Sequence, residues 1–313
     1  MTNRLRYLTL LLLTGLFMTG CFRNGANTEG LPVGKRIQLS TVEELYQFLT
    51  YDDNRYPLVS LHRGGPATGY PENAVETFAY NASLQPVIVE CDVRLSKDSA
   101  LVLMHDNTLN RTTTGKGPIK AKTLAELKKL RLVDNNKKLT PYKIPTLEEA
   151  LAWGKGKVIF TLDIKNDVPY EAVINAIRKQ RAEASVVVIT YSANQAAKIH
   201  SLAGDLMISA SIRTVDDLSR LNEKDIPDNR LLAFIGTREA DTQLTKILHD
   251  HGIMCILGTL GNLDKQASKR GFQLYAGFID RGADILSTDR PTEAGRALNF
   301  YIKKRGISSR FVQ

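Results

Sequence analysis

Two histidines and three acidic residues lie in or directly after short apolar runs of the sequence. They are His62, His105, Glu90, Asp92 and Asp163. Imidazole accepts or donates a proton near neutral pH, and clustered carboxylate oxygens are ligands for hard divalent cations. These residue types therefore indicate acid–base chemistry beside a metal ion, provided that the fold brings them together.

The spacing of the charged residues predicts that several of them share one side of a sheet. Side chains alternate along a strand, so Glu90 and Asp92 point the same way, and so do Asp163 and Lys165. Two carboxylates about 5 Å apart repel each other by roughly 3 kcal/mol at an effective dielectric constant near 20. A bound cation would remove this cost, and oxygen ligands favour Ca²⁺ or Mg²⁺ over zinc. The alternative is structural, with the acids in buried ion pairs to Arg94 or Lys165 and the histidines merely hydrogen-bonded.

Short apolar runs alternate with amphipathic stretches along the chain, which is the pattern of βα units. The predicted strands are Leu58–Leu61, Val87–Val93, Val158–Ile164, Val186–Thr190, Leu206–Ala210, Leu231–Ile235, Ile253–Leu257 and Ile285–Ser287. The predicted helices between and after them are Ala74–Leu84, Thr146–Trp153, Tyr170–Arg181, Ala193–Leu202, Val215–Leu221, Ala240–His251 and Thr292–Lys303. Eight such units favour an α/β fold of the closed (β/α)8 TIM type, whose active sites form at the C-terminal ends of the strands.

Two segments lie outside this alternation. Residues 107–145, rich in Thr, Lys and Gly, follow another apolar run at 100–104 and are predicted to be a small insertion after the second strand. Thr41 and Glu44 have the spacing of a helix capping box, so 41–49 is predicted to be an entry helix that plugs or flanks the barrel. The barrel domain is expected to span residues 41–313.

The N-terminus has the pattern of an export signal, with Arg4 and Arg6 before the apolar run Leu8–Met18. Thr19-Gly20-Cys21 resembles the lipobox of bacterial lipoproteins, which implies cleavage after residue 20 and lipidation of Cys21. Residues 21–40 are then a flexible tether, and the protein is expected on the bacterial cell envelope, anchored by lipid on the periplasmic or outer surface. Soluble secretion and an uncleaved anchor are the alternatives.

The formal net charge is +9, and removal of Arg4 and Arg6 leaves about +7, which favours phosphate esters or an anionic membrane as partners. The basic residues are spread along the chain without the aromatic-lined stripe of a nucleic-acid-binding protein, so nucleic acid is not an expected partner. Lysines 128, 129, 137 and 138 are predicted to form a solvated face that could touch anionic lipid. Cys91 and Cys255 are predicted to be buried thiols.

Four blocks of the N-terminal half, in order and spacing, resemble the glycerophosphodiester phosphodiesterase family. They are His62-Arg63-Gly64, Pro71-Glu72-Asn73, Glu90-Cys91-Asp92-Val93, and His105-Asp106 with Arg111-Thr112-Thr113. The resemblance extends to about Asp289 through the weaker motifs 163–165 and 287–291. It implies a (β/α) barrel, a divalent metal, and hydrolysis of a small-molecule glycerophosphodiester to glycerol 3-phosphate and an alcohol by a phosphoric diester hydrolase.

The resemblance also implies roles for individual residues. His62 and His105 correspond to the acid/base pair, and Arg63 and Lys165 to the phosphate-binding residues. The implied metal ligands are Glu90, Asp92 and Asp163, and the implied contacts with metal or glycerol are Glu72 and Asn73. Two departures stand out, since the family usually has Glu at position 163 and many members have a Trp-Thr segment near Gly258-Thr259-Leu260.

Two other functions fit the same residues. A phosphoinositide-type phospholipase or another phosphodiester lyase also uses two histidines on a similar barrel, and would end at a cyclic phosphate. A degenerate binding lipoprotein would capture phosphorylated ligands without turnover, although the complete pairs His62/His105 and Glu90/Asp92 argue against it.

Overall fold

The computed structural model describes residues 34–239 and 241–313. Its centre is a closed parallel barrel of eight strands, because the first barrel strand pairs with both the second and the last. A ninth strand, β3, pairs antiparallel with β2. In chain order the strands are β1 Leu58–Leu61, β2 Val87–Leu95, β3 Leu101–Leu103, β4 Ile159–Ile164, β5 Val186–Thr190, β6 Met207–Ser211, β7 Leu231–Gly236, β8 Cys255–Gly258 and β9 Ile285–Thr288. The predicted (β/α)8 fold is confirmed, and each predicted strand agrees within two residues at either end.

Helices surround this barrel. They are α1 Val42–Phe48, α2 Val75–Leu84, α3 Leu124–Leu127, α4 Leu147–Gly154, α5 Tyr170–Gln180, α6 Ala193–Leu202, α7 Val215–Asn222, α8 Thr242–Asp250, α9 Asn262–Arg270, α10 Leu274–Asp280 and α11 Pro291–Arg305. Reciprocal capping boxes start α4 at Thr146 and α7 at Thr214, since each threonine oxygen accepts a backbone N–H three residues later. The helices α3, α9 and α10 were not predicted. In α9 the buried apolar residues are only Leu263 and Ala267, so its apolar periodicity is weak.

Across the described part of the chain, the helices are too short or too polar to traverse a lipid bilayer.

The N-terminal end of the barrel is closed by apolar packing. Leu45 and Phe48 of α1 join one buried cluster with inward-facing strand residues. Those strand residues are Leu58, Ile88, Ile159, Val187, Met207, Leu232, Ile256 and Ile285, and Met254, just before β8, joins them. The entry helix therefore plugs the barrel. Ile37, 1% exposed, pairs with Val312, so packing begins a few residues before the predicted domain boundary at residue 41.

The alternate strand residues face the helices. Cys91, between Glu90 and Asp92, packs in the layer between barrel and helices together with Ile164 and Phe160, as the strand periodicity predicts. Cys91 and Cys255 are free, buried thiols, which confirms that prediction.

The insertion at 107–145 has a small core of its own. Leu109, Ile119, Leu127, Leu132 and Ile144 are buried there against the start of α2 and strand β3. Asp134 and Asn136 of the insertion contact Gly69 and Thr68 in the loop after β1, so the insertion stands beside the C-terminal ends of the strands.

A buried polar network holds the opposite end of the barrel. The fully buried Asp284, just before β9, accepts hydrogen bonds from Arg55 Nε at 2.6 Å and from the backbone N–H of Cys255 at 2.6 Å, and its other contact is His249 Nε2 at 2.9 Å. Burial alone would lower the pKa of Arg55, but the charge of Asp284 outweighs it and raises this pKa. The network therefore joins the segments that enter β1, β8 and β9.

Replacement of Asp284 by Ala is expected to lower the free energy of unfolding by about 3–5 kcal/mol, because it leaves the charge of Arg55 buried without a partner. Chemical denaturation measures this loss. Asp280→Ala is the control, because it removes an exposed ion pair with Arg305. The Asp280 side chain is 49% exposed and the Arg305 side chain 54%. Loss of this pair is expected to lower the free energy of unfolding by at most about 1 kcal/mol. Equal effects of the two substitutions would contradict a structural role for the network.

Candidate active site

A cavity of about 250 Å³ opens at the C-terminal end of the barrel. Its lining includes all five residues from which the sequence indicated chemistry, namely His62, His105, Glu90, Asp92 and Asp163. The two histidines therefore face one cavity together with the acidic residues. Deeper in the cavity the lining is a mixture of hydroxyl and apolar side chains, including Ser60, Ser209, Ser287, Phe234 and Ile256.

Strand register brings the three carboxylates together. Asp92 on β2 lies directly opposite Asp163 on β4, and Glu90 lies opposite Thr161, one step deeper in the barrel. All three residues are buried, and one oxygen from each lies within 4.8 Å of the others. This is a set of hard oxygen donors that could hold a divalent cation.

The charge of this cluster is only partly balanced by the protein. Lys165 Nζ lies 2.6 Å from Asp92 Oδ1 and 2.5 Å from Asp163 Oδ2, so the ion-pair alternative holds for these two acids. Burial would raise the pKa of Asp92, but Lys165 lowers it below its usual value. Glu90 accepts the Arg63 backbone N–H at 2.6 Å, and burial and the charge of Asp92 raise its pKa to about 8. Three carboxylates facing one ammonium group leave a deficit of positive charge that fits a divalent cation.

His62 is held by a carboxylate that directly follows the last strand. Its Nδ1 lies 2.7 Å from Asp289 Oδ1, and the Asp289 backbone N–H donates to the buried Asp264 at 2.9 Å. Burial would lower the pKa of His62, but the hydrogen bond to Asp289 and the charge of Glu90 outweigh it and raise this pKa. With Nδ1 engaged, Nε2 is the nitrogen left for chemistry.

His105 is held in the same way from the insertion side. Its Nδ1 lies 2.8 Å from Asp106 Oδ1, and Arg111 Nε donates to the other Asp106 oxygen at 2.7 Å. Hydrogen bonds from Arg111 hold the pKa of Asp106 well below its usual range. Arg111 in turn donates to both oxygens of Glu72 at 2.7 Å. Glu72 thus anchors Arg111 and is not one of the three grouped carboxylates.

Arg63 and Asn73 have left-handed backbones, with φ of 52° and 56°, a conformation that non-glycine residues rarely adopt. The Asn73 backbone N–H donates to Arg63 O at 2.9 Å, which ties the two loops together. The Asn73 side chain donates to Asp92 Oδ2 at 2.8 Å and accepts the Asp92 backbone N–H at 3.0 Å. Asn73 therefore positions Asp92.

The Arg63 side chain lies in a neighbouring cavity that it shares with His62, Glu72 and Arg111. Its Nε is buried, and no atom of the described residues accepts a hydrogen bond from it. Its Nη1 lies 3.4 Å from both carboxylate oxygens of Glu72, and the side chain is 21% exposed, so Arg63 offers a partly accessible cation beside the histidine.

Sequence reasoning did not assign roles to four residues of this site. Asp106 and Asp289 hold the histidines, Arg111 holds Asp106, and Tyr191 lines the cavity. Asp289 and Tyr191 directly follow β9 and β5, so the rule that polar strand-end residues are suspect in a barrel could have found them. The other histidines have no place in this cavity, and His249 and His251 instead contact Asp284 and Asp228.

Catalytic sites of parallel barrels lie at the C-terminal ends of the strands, and the polar cavity of this barrel lies there too. The molecule thus has the architecture of a (β/α)8-barrel enzyme. Residues 62–276, more than half of the chain, match the model of the glycerophosphoryl diester phosphodiesterase family. The chain belongs to this family, which confirms the resemblance found in the sequence.

Individual relatives agree with this assignment. A glycerophosphodiester phosphodiesterase of Caldanaerobacter subterraneus is 32% identical over 48% of this chain, and the match covers 65% of that protein's length. The crystal structure of a glycerophosphoryl diester phosphodiesterase from Parabacteroides distasonis is 35% identical, with a TM-score of 0.81 over 89% of this chain and 99% of the other. A phosphodiesterase from Oleispira antarctica, solved in complex with the product sn-glycerol-3-phosphate, has the same fold, with 24% identity and a TM-score of 0.61 over 82% of this chain and 99% of the other.

Replacement of Asp289 by Asn is expected to lower the pKa of His62, because the amide removes the negative charge and the strong acceptor that stabilise the imidazolium against burial. Titration of the imidazole signals by NMR measures this pKa. Asp228→Asn, which changes the contact of His251 at the other end of the barrel, is the control and is expected to leave His62 unchanged. An unaltered pKa of His62 in Asp289→Asn would show that Asp289 does not hold the histidine.

Proposed function

We propose that this protein hydrolyses glycerophosphodiesters to glycerol 3-phosphate and an alcohol, with a divalent cation bound by Glu90, Asp92 and Asp163. One observation carries the proposal: two histidines, each with a carboxylate at Nδ1, share a cavity with three clustered carboxylates. Membership of the family supports the choice of substrate class.

The expected cation is Ca²⁺ or Mg²⁺, since all three candidate ligands are carboxylates. When bound, such an ion supplies charge neutralisation at the non-bridging phosphate oxygens. Asp163 is one methylene shorter than the Glu that the family usually has there. Its register opposite Asp92 and its inclusion in the acidic cluster favour it as a ligand.

Arg63 and Lys165 are suited to hold the phosphate. Arg63 lines the cavity next to His62 with a partly exposed side chain, and Lys165 places its ammonium group against Asp92 and Asp163. Preorganised cations stabilise negative charge that develops on phosphoryl oxygens during the reaction. General acid–base help contributes about 10²–10⁴ in rate, whereas enzymatic accelerations start near 10⁶, so the histidines need this electrostatic support.

His62 and His105 divide the proton transfers between them. One imidazole removes a proton from the nucleophile, which is either water or the glycerol 2-hydroxyl, and the other protonates the leaving alkoxide. Attack by water gives glycerol 3-phosphate directly, whereas attack by the 2-hydroxyl gives a cyclic phosphate that a water molecule then opens to glycerol 3-phosphate with the two histidines in exchanged roles. The carboxylates Asp289 and Asp106 each contact Nδ1 of their histidine, which favours the tautomer with Nε2 toward the cavity.

Replacement of His62 or His105 by Ala is expected to lower kcat by about 10²–10⁴ without loss of folding. The assay measures release of glycerol 3-phosphate from a panel of glycerophosphodiesters, with and without EDTA, while circular dichroism monitors the fold. His251→Ala, at the other end of the barrel, is the control and is expected to keep full activity.

Near-normal turnover in either active-site variant would refute the roles given to the histidines. A cyclic phosphate as the final product would identify a lyase, and failure to release glycerol 3-phosphate from any diester would overturn the proposed function.

Binding of Ca²⁺ or Mg²⁺ at pH 7 is expected to release about one proton per protein molecule, because Glu90 has a pKa of about 8 without the ion and must ionise to become a ligand. Calorimetric titration in buffers of different ionisation enthalpy measures this proton. Glu90→Gln is expected to bind the ion more weakly and to release no proton, whereas Glu171→Gln on α5 is a surface control. Tight binding with full proton release in Glu90→Gln would place the ion elsewhere.

Attachment to the bacterial envelope through lipid on Cys21 is a separate proposal, and Cys21 lies outside the described residues. It rests on the signal-like segment and Thr19-Gly20-Cys21. Cys21→Ala is expected to move the protein from the membrane to the soluble fraction and to remove the mass of the acyl chains from its N-terminal peptide. Mass spectrometry and fractionation measure both effects, and an unmodified Cys21 in the unaltered protein would disprove lipidation.

A further inference from the structure

The excess positive charge of this protein is concentrated in the insertion. Residues 107–145 contain ten Lys or Arg and two Asp or Glu, a net charge of +8. The whole chain carries a net charge of +9. After subtraction of +8 for the insertion and +2 for Arg4 and Arg6, all other residues together carry −1. Although single basic residues are spread along the chain, the residues outside the insertion and the signal-like segment have almost no net charge.

The insertion places this charge beside the catalytic cavity. Lys120 lines a side cavity together with Asp163 and Lys165, and Lys137 lines the other side cavity together with His62 and Arg63. Most of the remaining basic residues of the insertion are exposed. The positive surface thus borders the mouth of the barrel on two sides.

A fixed turn in the insertion presents part of this charge to solvent. The buried Asp134 accepts backbone N–H groups from Gly69, Asn136 and Lys138 at 2.8–2.9 Å. The first of these bonds joins the turn to the loop after β1. Residues 135–139, here called the basic turn, therefore have a defined shape before any partner arrives.

The basic turn also exposes an apolar side chain. Leu139 directly follows Lys137 and Lys138 and is 48% exposed. Among the described residues, five large hydrophobic side chains are exposed, and Leu139, Tyr191 and Val215 are three of these five. These two follow β5 and β6, so they also lie at the C-terminal end of the barrel.

We propose that the basic turn and the adjoining rim dock on an anionic phospholipid surface. Each lysine near such a surface is attracted to the negative lipid headgroups, and apolar or aromatic side chains gain free energy when they are buried at the membrane interface. A soluble polyanion would match the lysines but would leave Leu139 in water. The exposed leucine beside the lysine pair is the observation that favours lipid, and docking would turn the catalytic mouth toward the membrane.

Vesicle co-sedimentation tests this surface, with the protein carrying Cys21→Ala so that no acyl chain contributes. The protein is expected to bind vesicles of phosphatidylcholine mixed with phosphatidylglycerol, and not vesicles of phosphatidylcholine alone. The double variant Lys137→Gln with Lys138→Gln is expected to weaken vesicle binding about 30-fold, because each lysine contributes about 1 kcal/mol to the attraction. Leu139→Ser is expected to weaken it about fivefold, from partial loss of apolar burial.

Matched controls lie in the last turns of α11, which leads away from the mouth. Lys303→Gln with Lys304→Gln removes another exposed lysine pair, and Phe300→Ser removes the most exposed of the five large hydrophobic side chains. Both are expected to bind vesicles like the unaltered protein. The proposal is overturned if the variants of the basic turn bind as tightly as the controls. It is also overturned if Leu139→Ser has no effect while polyphosphate displaces the protein from vesicles, since the partner would then be a soluble polyanion.

Discussion

The repulsion among three buried carboxylates is the constraint around which the catalytic end of this barrel is arranged. Strand periodicity and register force Glu90, Asp92 and Asp163 into one cavity, where low dielectric makes their charges costly. The protein compensates part of this cost with Lys165 and leaves Glu90 with a raised pKa. Under the proposed function, a hard cation bound by these carboxylates would remove the remaining repulsion, so the electrostatic cost of the acidic cluster would appear as affinity for the ion.

The two histidines are prepared by different parts of the molecule in the same chemical way. His62 depends on Asp289 directly after the last strand, whereas His105 depends on Asp106 and, through Arg111, on Glu72. Each arrangement fixes Nδ1 and leaves Nε2 for the cavity. Closure of the barrel therefore has a direct chemical result, because the pairing of β1 with β9 brings the chain near Asp289 next to His62.

Local sequence patterns were sufficient for the barrel and for the acidic cluster. Alternating apolar runs predict the strands, and the two-residue period places Glu90 and Asp92 on one side. The pairing of His62 with Asp289 was harder to predict, because 227 residues separate them; the position of Asp289 after a strand marks it as a candidate but does not identify its partner. The same is true of Glu72, whose bidentate pairing with Arg111 depends on how the insertion packs. Helix α9 was missed because too few apolar residues mark its buried side.

The demands at position 73 leave almost no alternative amino acid. The backbone there is left-handed, which glycine, asparagine and aspartate tolerate best, while the side chain must both donate to Asp92 and accept from its N–H. Glycine has no side chain to offer, and aspartate would bring a fourth negative charge. Position 73 therefore carries two independent requirements, one on the backbone conformation and one on the hydrogen-bonding groups of the side chain, and asparagine meets both.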